Sequence, residues 1–218
     1  MIKPYVIVNC AMSADGKIAL PDRKQVRISS EEDIERMYIL RNECDAVLVG
    51  IDTILSDDPK LTVKEKYVKN PKQPVRVVLD SKCRMPDDAL VLNKSAKILI
   101  ITTKGNEKQF DGEHIEVVEC KANNEGHVDL GYMLDVLYQK GIKKLLVEGG
   151  GTVIWNFLKE RLVDDLFIYI GPCVIGGKYA PTVADGVGIK NEDELISLKI
   201  VDVNRLGSGV LVHYRMIQ

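Results

Sequence analysis

Short apolar runs rich in Val and Ile recur along the chain at residues 5–8, 46–49, 75–79, 98–101, 115–118, 145–147 and 166–170. Bounded by polar residues or glycine, such runs read as buried strands. Helical patterns lie between several of them. Ser29 or Ser30 offers an N-cap before Glu31-Glu32-Asp33, whose negative charge suits the positive end of a helix, and Ile34, Met37, Tyr38 and Arg41 follow at helical spacing. Asp129 opens a second helix with Tyr132, Met133, Val136 and Leu137 on one face, stopped by Gly141. A third is expected from Gly151 through Ile154, Trp155 and Leu158 to Leu162. Strands alternating with helices predict an α/β fold, a mostly parallel sheet with helices on both faces. The tail breaks the alternation: 195–204 and 210–217 read as strands, and Leu206-Gly207-Ser208-Gly209 between them carries turn chemistry. A C-terminal antiparallel hairpin therefore makes the sheet mixed. Residues 64–74, with lysines and two prolines, read as a surface loop.

A chain of 218 residues with this pattern and no evident linker is expected to form a single domain, 1–218. Its 30 basic and 32 acidic side chains leave a net charge of −2, which argues against nucleic acid as the main partner. The five cysteines are widely spaced with no C-x-x-C pair, which fits a reducing cytoplasm and small buried apolar side chains. His114, His127 and His213 do not fall at zinc spacing with any cysteine pair, so no metal is expected. No segment reaches the roughly 18 apolar residues of a membrane span. The start Met-Ile-Lys-Pro-Tyr lacks a signal peptide's apolar stretch, and the chain is expected to stay where it is made.

The strongest local signal is Leu145-Leu146-Val147-Glu148-Gly149-Gly150-Gly151-Thr152-Val153, a strand ending in three glycines and passing straight into a helix. Backbone without side chains at a helix N-terminus lets a phosphate approach, and the free N–H groups stabilise its charge. A tight strand-to-helix turn needs only one or two glycines, so three favour a nucleotide phosphate cradle. Glu148, just before the cradle, is placed to hold a ligand group or move a proton, with a structural cap as the alternative. Three other strand ends are polar: residues 9–18 with an Asp15-Gly16 turn, 49–59 leaving into a loop of hydroxyls and carboxylates, and 75–84 with basic residues past the strand.

Taken together, Ala11-Met12-Ser13-Ala14-Asp15-Gly16-Lys17, Asp57-Asp58-Pro59-Lys60-Leu61-Thr62-Val63, Pro74-Val75-Arg76-Val77-Val78-Leu79-Asp80-Ser81, Gly126-His127-Val128-Asp129-Leu130, Val147-Glu148-Gly149-Gly150 and Leu162-Val163-Asp164-Asp165-Leu166 resemble the riboflavin-biosynthesis reductases. These span nearly the whole chain in the family's order, and the likeness is greatest to the stand-alone archaeal and fungal members. The bacterial bifunctional relatives carry a zinc deaminase whose signature is H-x-E followed by P-C-x-x-C. Here Pro172-Cys173 runs on into Val174-Ile175-Gly176 and an H-x-E is not expected either, so the reading is a reductase without the deaminase.

The resemblance implies a dihydrofolate-reductase-like three-layer fold, a homodimer, and NADPH-dependent reduction of a ribosylamino group on a phosphorylated pyrimidine to a ribitylamino group. It implies cofactor contacts from Thr53, Asp57, Leu79, Asp80, Ser81, Lys82 and Val128, and a pyrophosphate wrapped by Gly149, Gly150, Gly151, Thr152 and Val153. Lys82 or Arg84 would meet a 2′-phosphate, whereas Asp80 would instead suit a free 2′-hydroxyl. Substrate contacts would come from Asn9, Ser13, Asp15, Leu61, Lys64 and Glu148, with Arg27 and Lys17 as further phosphate candidates. Glu148 and Asp15 would handle protons as the catalytic pair. Two other readings stand beside this one: a dihydrofolate reductase-like enzyme binding a pterin, and a non-catalytic nucleotide-binding module.

Overall fold

The computed structural model describes residues 2–105 and 108–217. Among them lie nine strands and four α-helices in the order β1 (Tyr5–Ser13), α1 (Glu31–Glu43), β2 (Ala46–Gly50), α2 (Ile51–Asp57), β3 (Val75–Leu79), β4 (Ile98–Thr103), β5 (Ile115–Cys120), α3 (Leu130–Gln139), β6 (Lys144–Gly149), α4 (Gly151–Lys159), β7 (Asp165–Gly171), β8 (Leu198–Leu206) and β9 (Gly209–Met216). The strands hydrogen-bond in the order β5-β4-β3-β2-β6-β1-β7-β9-β8. The sheet is mixed and mostly parallel, with β7–β9 and β9–β8 antiparallel. The chain divides into two compact units, neither continuous in sequence: 1–5 with 38–146, and 6–37 with 147–218.

In the first unit, β2 is buried at every position, as a continuous apolar run in a parallel sheet should be. Val77, Val78 and residues 98–101 bury with it, and α3 contributes Met133, Leu134 and Leu137. The buried face of α3 takes Leu134 where periodicity suggested Tyr132, which is exposed. Asp129 caps this helix by accepting from the Tyr132 N–H at 2.8 Å. Its C-terminus closes with Gly141 N–H to Tyr138 O and Ile142 N–H to Leu137 O, the paired bonds that a left-handed glycine permits. Arg76, inside β3, is fully buried and donates through Nη2 to the carbonyls of Asn93 and Ala96. Residues 51–57, expected as loop, form the short helix α2, whose last turn is closed by Asp58 in the left-handed conformation.

In the second unit, β1 runs on to Ser13, well past the apolar run that announced it, because β7 pairs with it residue by residue from Ile7–Asp165 to Ser13–Gly171. Of the two serines before α1, Ser30 caps: its Oγ accepts from Asp33 N–H and its carbonyl from Ile34 N–H. The third helix ends at Lys159 rather than Leu162. Arg161 takes the left-handed conformation a glycine usually supplies, with Arg161 N–H to Leu158 O and Leu162 N–H to Phe157 O closing the helix. Leu162 then buries just beyond that cap. The hairpin begins at Leu198, not 195, and turns at Gly207-Ser208. Cys44 and Cys120 are buried as expected, but Cys173 is exposed. No helix of the described residues is long and apolar enough to cross a membrane.

Candidate active site

Within the second unit, Ser13 and Asp15 form a clamp at the end of β1. Fully buried Ser13 donates from Oγ to Asp15 Oδ1 at 2.6 Å and accepts the Lys17 N–H at 2.9 Å. Asp15 also accepts from Ile175 N–H at 3.0 Å and Gly176 N–H at 2.7 Å. The Ser13 hydroxyl first, then the Ile175 and Gly176 amides, push its carboxyl down to about 2. A group held that low stays ionised near neutrality, so Asp15, expected to handle a proton, is placed as an anchor. Lys17 Nζ donates to the Ala180 carbonyl at 3.2 Å. Arg27 is exposed and pairs with Glu31 at 3.0 Å, its guanidinium and the carboxylate both largely in solvent.

Asn9 lies inside β1, not at its end, and is buried. Its Oδ1 accepts from Arg36 Nη2 at 2.6 Å, and Arg36 in turn donates through Nε and Nη2 to Asp33 Oδ1 at 2.9 and 2.7 Å. Ser29 Oγ donates to the other oxygen of Asp33 at 2.6 Å. Asp33 is itself buried, so the acid whose charge suits the helix N-terminus serves also as an internal counter-ion to Arg36. Neither Arg36 nor Asp33 figured among the expected site residues; the only trace in sequence is their i, i+3 spacing.

Glu148 is half-buried one residue before the end of β6. Gly149 follows with φ +121°, a conformation that only glycine adopts freely, and Gly150 is the N-cap of α4 with no side chain of its own to satisfy the first N–H groups. The turn therefore leaves the first amides of α4, those of Thr152 and Val153 among them, without a side-chain cap. Gly151 is different. A Cβ there would strike the Thr182 carbonyl and stand 3.2 Å from the Asp185 carboxylate. Asp185 holds this segment by accepting from the Thr182 N–H at 3.0 Å and hydroxyl at 2.6 Å while its own N–H donates to Gly151 O at 3.2 Å. The third glycine is thus required by packing against residues 182–185.

Within the first unit, Ser81 gathers the expected adenosine residues. Its Oγ accepts from Val128 N–H at 3.1 Å and its carbonyl from Thr103 Oγ1 at 2.8 Å, which ties the β3 end to the 126–128 segment. Lys82 is exposed beside it and Leu79 half-buried before it. Arg84 pairs with Asp52 at 2.9 Å. Asp80 is fully buried; Oδ2 accepts from Met85 N–H at 2.7 Å and Oδ1 has no partner among the described residues. That burial corrects the expectation of a carboxylate reaching a ribose hydroxyl, since Asp80 instead shapes the 80–85 turn. Thr53 and Asp57 are half-buried on α2. Leu61 is buried with φ +52°, whereas Lys64 is exposed with its ammonium 5.5 Å from the Tyr38 ring centre. Tyr38 stacks on Tyr67 at 4.7 Å, and Arg41 donates to the Thr62 carbonyl at 3.1 Å, bracing the segment that carries Leu61 and Lys64.

An H-x-E triplet does occur, at His114-Ile115-Glu116, but no P-C-x-x-C follows it. His114 Nε2 meets the Leu92 carbonyl at 2.8 Å and Glu116 pairs with Lys97 at 2.7 Å, so both are committed to structure. No group of three or more His, Cys, Asp or Glu able to hold a metal ion occurs among the described residues.

The sequence pattern of the RibD C-terminal domain matches residues 4–212. The chain is 43% identical to the 2,5-diamino-6-ribosylamino-4(3H)-pyrimidinone 5′-phosphate reductase of Archaeoglobus fulgidus, covering 98% of this chain and 99% of that one. It is 39% identical to the protein of the same name from Methanothermobacter thermautotrophicus, covering 98% of each. Among solved structures, a Thermotoga maritima diaminohydroxyphosphoribosylaminopyrimidine deaminase/5-amino-6-(5-phosphoribosylamino)uracil reductase superposes with TM-score 0.83 at 26% identity, over 99% of this chain and 57% of that one. The Saccharomyces cerevisiae riboflavin biosynthesis reductase shares the fold with TM-score 0.77 at 21% identity, over 100% of this chain and 91% of that one.

Proposed function

The chain belongs to the RibD C-terminal domain family and is a reductase of riboflavin biosynthesis, and we propose that it uses NADPH to convert the ribosylamino side chain of 2,5-diamino-6-ribosylamino-4(3H)-pyrimidinone 5′-phosphate to the ribitylamino form. The observation that carries this reading is the end-to-end likeness to two archaeal reductases of that name. The whole of residues 1–218 would act as one reductase domain.

The nicotinamide supplies hydride when bound. The chain's own residues divide the remaining work. In the first unit, Leu79, Ser81, Lys82 and Val128 would hold the adenosine half, with Lys82 meeting the 2′-phosphate because Arg84 is already paired with Asp52. Thr53 and Asp57 would add contacts from α2, while Leu61 and Lys64 would meet the substrate, the lysine at its phosphate. In the second unit, Gly149 and Gly150 would let the diphosphate reach the N–H groups of Thr152 and Val153, with Gly151 acting through packing. Asn9 and Ser13 would contact the substrate, and Arg27 would be a further, exposed cation for its phosphate. Glu148 would exchange the proton that accompanies conversion of the opened glycosylamine to an amine, while Asp15 keeps Ser13 in place as an anion. Holding the reacting carbon close to the hydride donor would supply most of the rate.

The five free cysteines suit a cytoplasmic setting. Exposed Ile200, Val201 and Val203 on the edge strand β8 support a homodimer. Light scattering on the purified chain would reveal a dimer mass if that surface pairs. The activity is tested by following NADPH oxidation with the ribosylaminopyrimidine phosphate and, separately, with dihydrofolate. Turnover with the former alone is expected; turnover with dihydrofolate alone would transfer the site to a pterin, and none with either would leave a binding module.

A further inference from the structure

Arginine carries only hydrogen-bond donors, so the Asn9 atom facing Arg36 Nη2 at 2.6 Å must be the carbonyl oxygen. The orientation of the amide is therefore decided by chemistry. The Nδ2 group points the other way and donates to nothing among the described residues. Arg36 cannot easily turn aside. Two of its nitrogens are spent on Asp33 Oδ1, Asp33 is buried and held from its other oxygen by Ser29, and the guanidinium lies 5.8 Å from the ring centre of Phe167, the residue opposite Asn9 on β7. A buried carboxylate without its cation is costly, so Asp33 keeps Arg36 in place as firmly as Arg36 keeps Asn9.

We propose that Arg36 is a positioning residue: backed by Asp33 and Ser29, it fixes the Asn9 amide so that Asn9 offers the substrate N–H donors only and selects, at that point, an acceptor oxygen of the carbonyl kind a pyrimidinone ring carries. The inference rests on the reading of Asn9 as a substrate contact. It adds to that reading which atom of Asn9 makes the contact, which chemical group it recognises and what keeps it from flipping. An amide free to rotate would accept an amino group as readily as it donates to a carbonyl; one locked from behind rejects the amino group, because two donors would then face each other.

The test uses the full chain and steady-state kinetics with the ribosylaminopyrimidine phosphate. Asn9→Asp keeps an oxygen for Arg36 and loses both donors, so it should fold and raise KM about tenfold or more with kcat within about twofold. Arg36→Lys keeps a cation against Asp33 but lacks the fork that reaches Asn9 as well. It should raise KM about tenfold in the native chain and less than about twofold in an Asn9→Ala background, since it acts only through Asn9. Equal effects of Arg36→Lys in the two backgrounds, no effect in either, or a native KM in Asn9→Asp would overturn the inference. A native KM in Asn9→Ala itself would instead remove Asn9 from the substrate and overturn the reading beneath it.

Discussion

The carbonyl oxygen of Thr182 stands within clashing distance of the point a Cβ on Gly151 would occupy. Carbonyl backbone cannot swing away as a flexible side chain does. Gly151→Ala should therefore cost about 1–3 kcal/mol through a displaced 182–185 segment, seen as a lower Tm. Gly150→Asp should do the opposite: leave the melting temperature close to native and weaken NADPH binding strongly, because it puts a carboxylate where the α4 amides would meet phosphate. Cofactor titration by fluorescence alongside thermal melts separates the two, and equal cofactor affinity in Gly150→Asp would falsify the cradle.

Lys82 provides a test of cofactor choice. With Arg84 bound to Asp52, removal of Lys82 should raise KM for NADPH about tenfold while leaving KM for NADH within about twofold. Added salt should narrow the difference between the native chain and Lys82→Ala, since the contact is made at an exposed ammonium. A parallel rise in both KM values would move the discriminating residue elsewhere.

Asp15 should leave a signature in acid. Its folded carboxyl, lowered to about 2 by the Ser13 hydroxyl and the Ile175 and Gly176 amides, lies below the ordinary 3.8. The unfolded chain therefore takes up the proton first as pH falls. The clamp contributes fully above about pH 4, and its contribution is lost between about pH 4 and 2. The Tm advantage of the native chain over Asp15→Asn should thus be widest near neutrality and vanish toward pH 2. A constant difference across that window would mean the clamp does not depend on the charge.

The thiols should separate by exposure. Cys173 is exposed, Cys44 is buried, and burial first, with the Asp33 carboxylate adding and Arg36 opposing, pushes the Cys10 thiol up to about 12. Burial likewise raises Cys120 to about 11. At pH 8 a maleimide should label Cys173 first in the native chain, half-buried Cys10 far more slowly because its thiol is held protonated, and Cys44 and Cys120 only after denaturation. Peptide mapping by mass spectrometry would expose a contrary order.

Much of this architecture is visible one residue at a time. The run 75–79 became β3 without adjustment, Asp129 caps α3 and Gly141 closes it, because each depends on neighbours a few positions away. The misses have equally specific causes. The helix α4 stops at Lys159, short of the Leu162 that periodicity predicts, because Arg161, a residue without glycine's freedom, takes the left-handed cap. The strand β1 extends past its apolar run because β7, more than 150 residues on, sets how far pairing continues. Arg76 sits fully buried in β3 because its guanidinium caps carbonyls at 93 and 96, contacts that no periodicity foretells.

The order of the nine strands, three of the four helices and the glycine turns is legible in the sequence alone, because periodicity, capping and turn chemistry act over a few residues, and the quoted motifs carry the family resemblance; α2 is not legible in this way. Only the tertiary structure decided what the polar groups do. It turned Asp15 into an anchor, withdrew Asp80 from the surface, assigned Gly151 to packing against Thr182 and set Arg36 behind Asn9. Those roles depend on partners that chain topology brings together, and a buried polar group takes its function from the partner that offsets its desolvation.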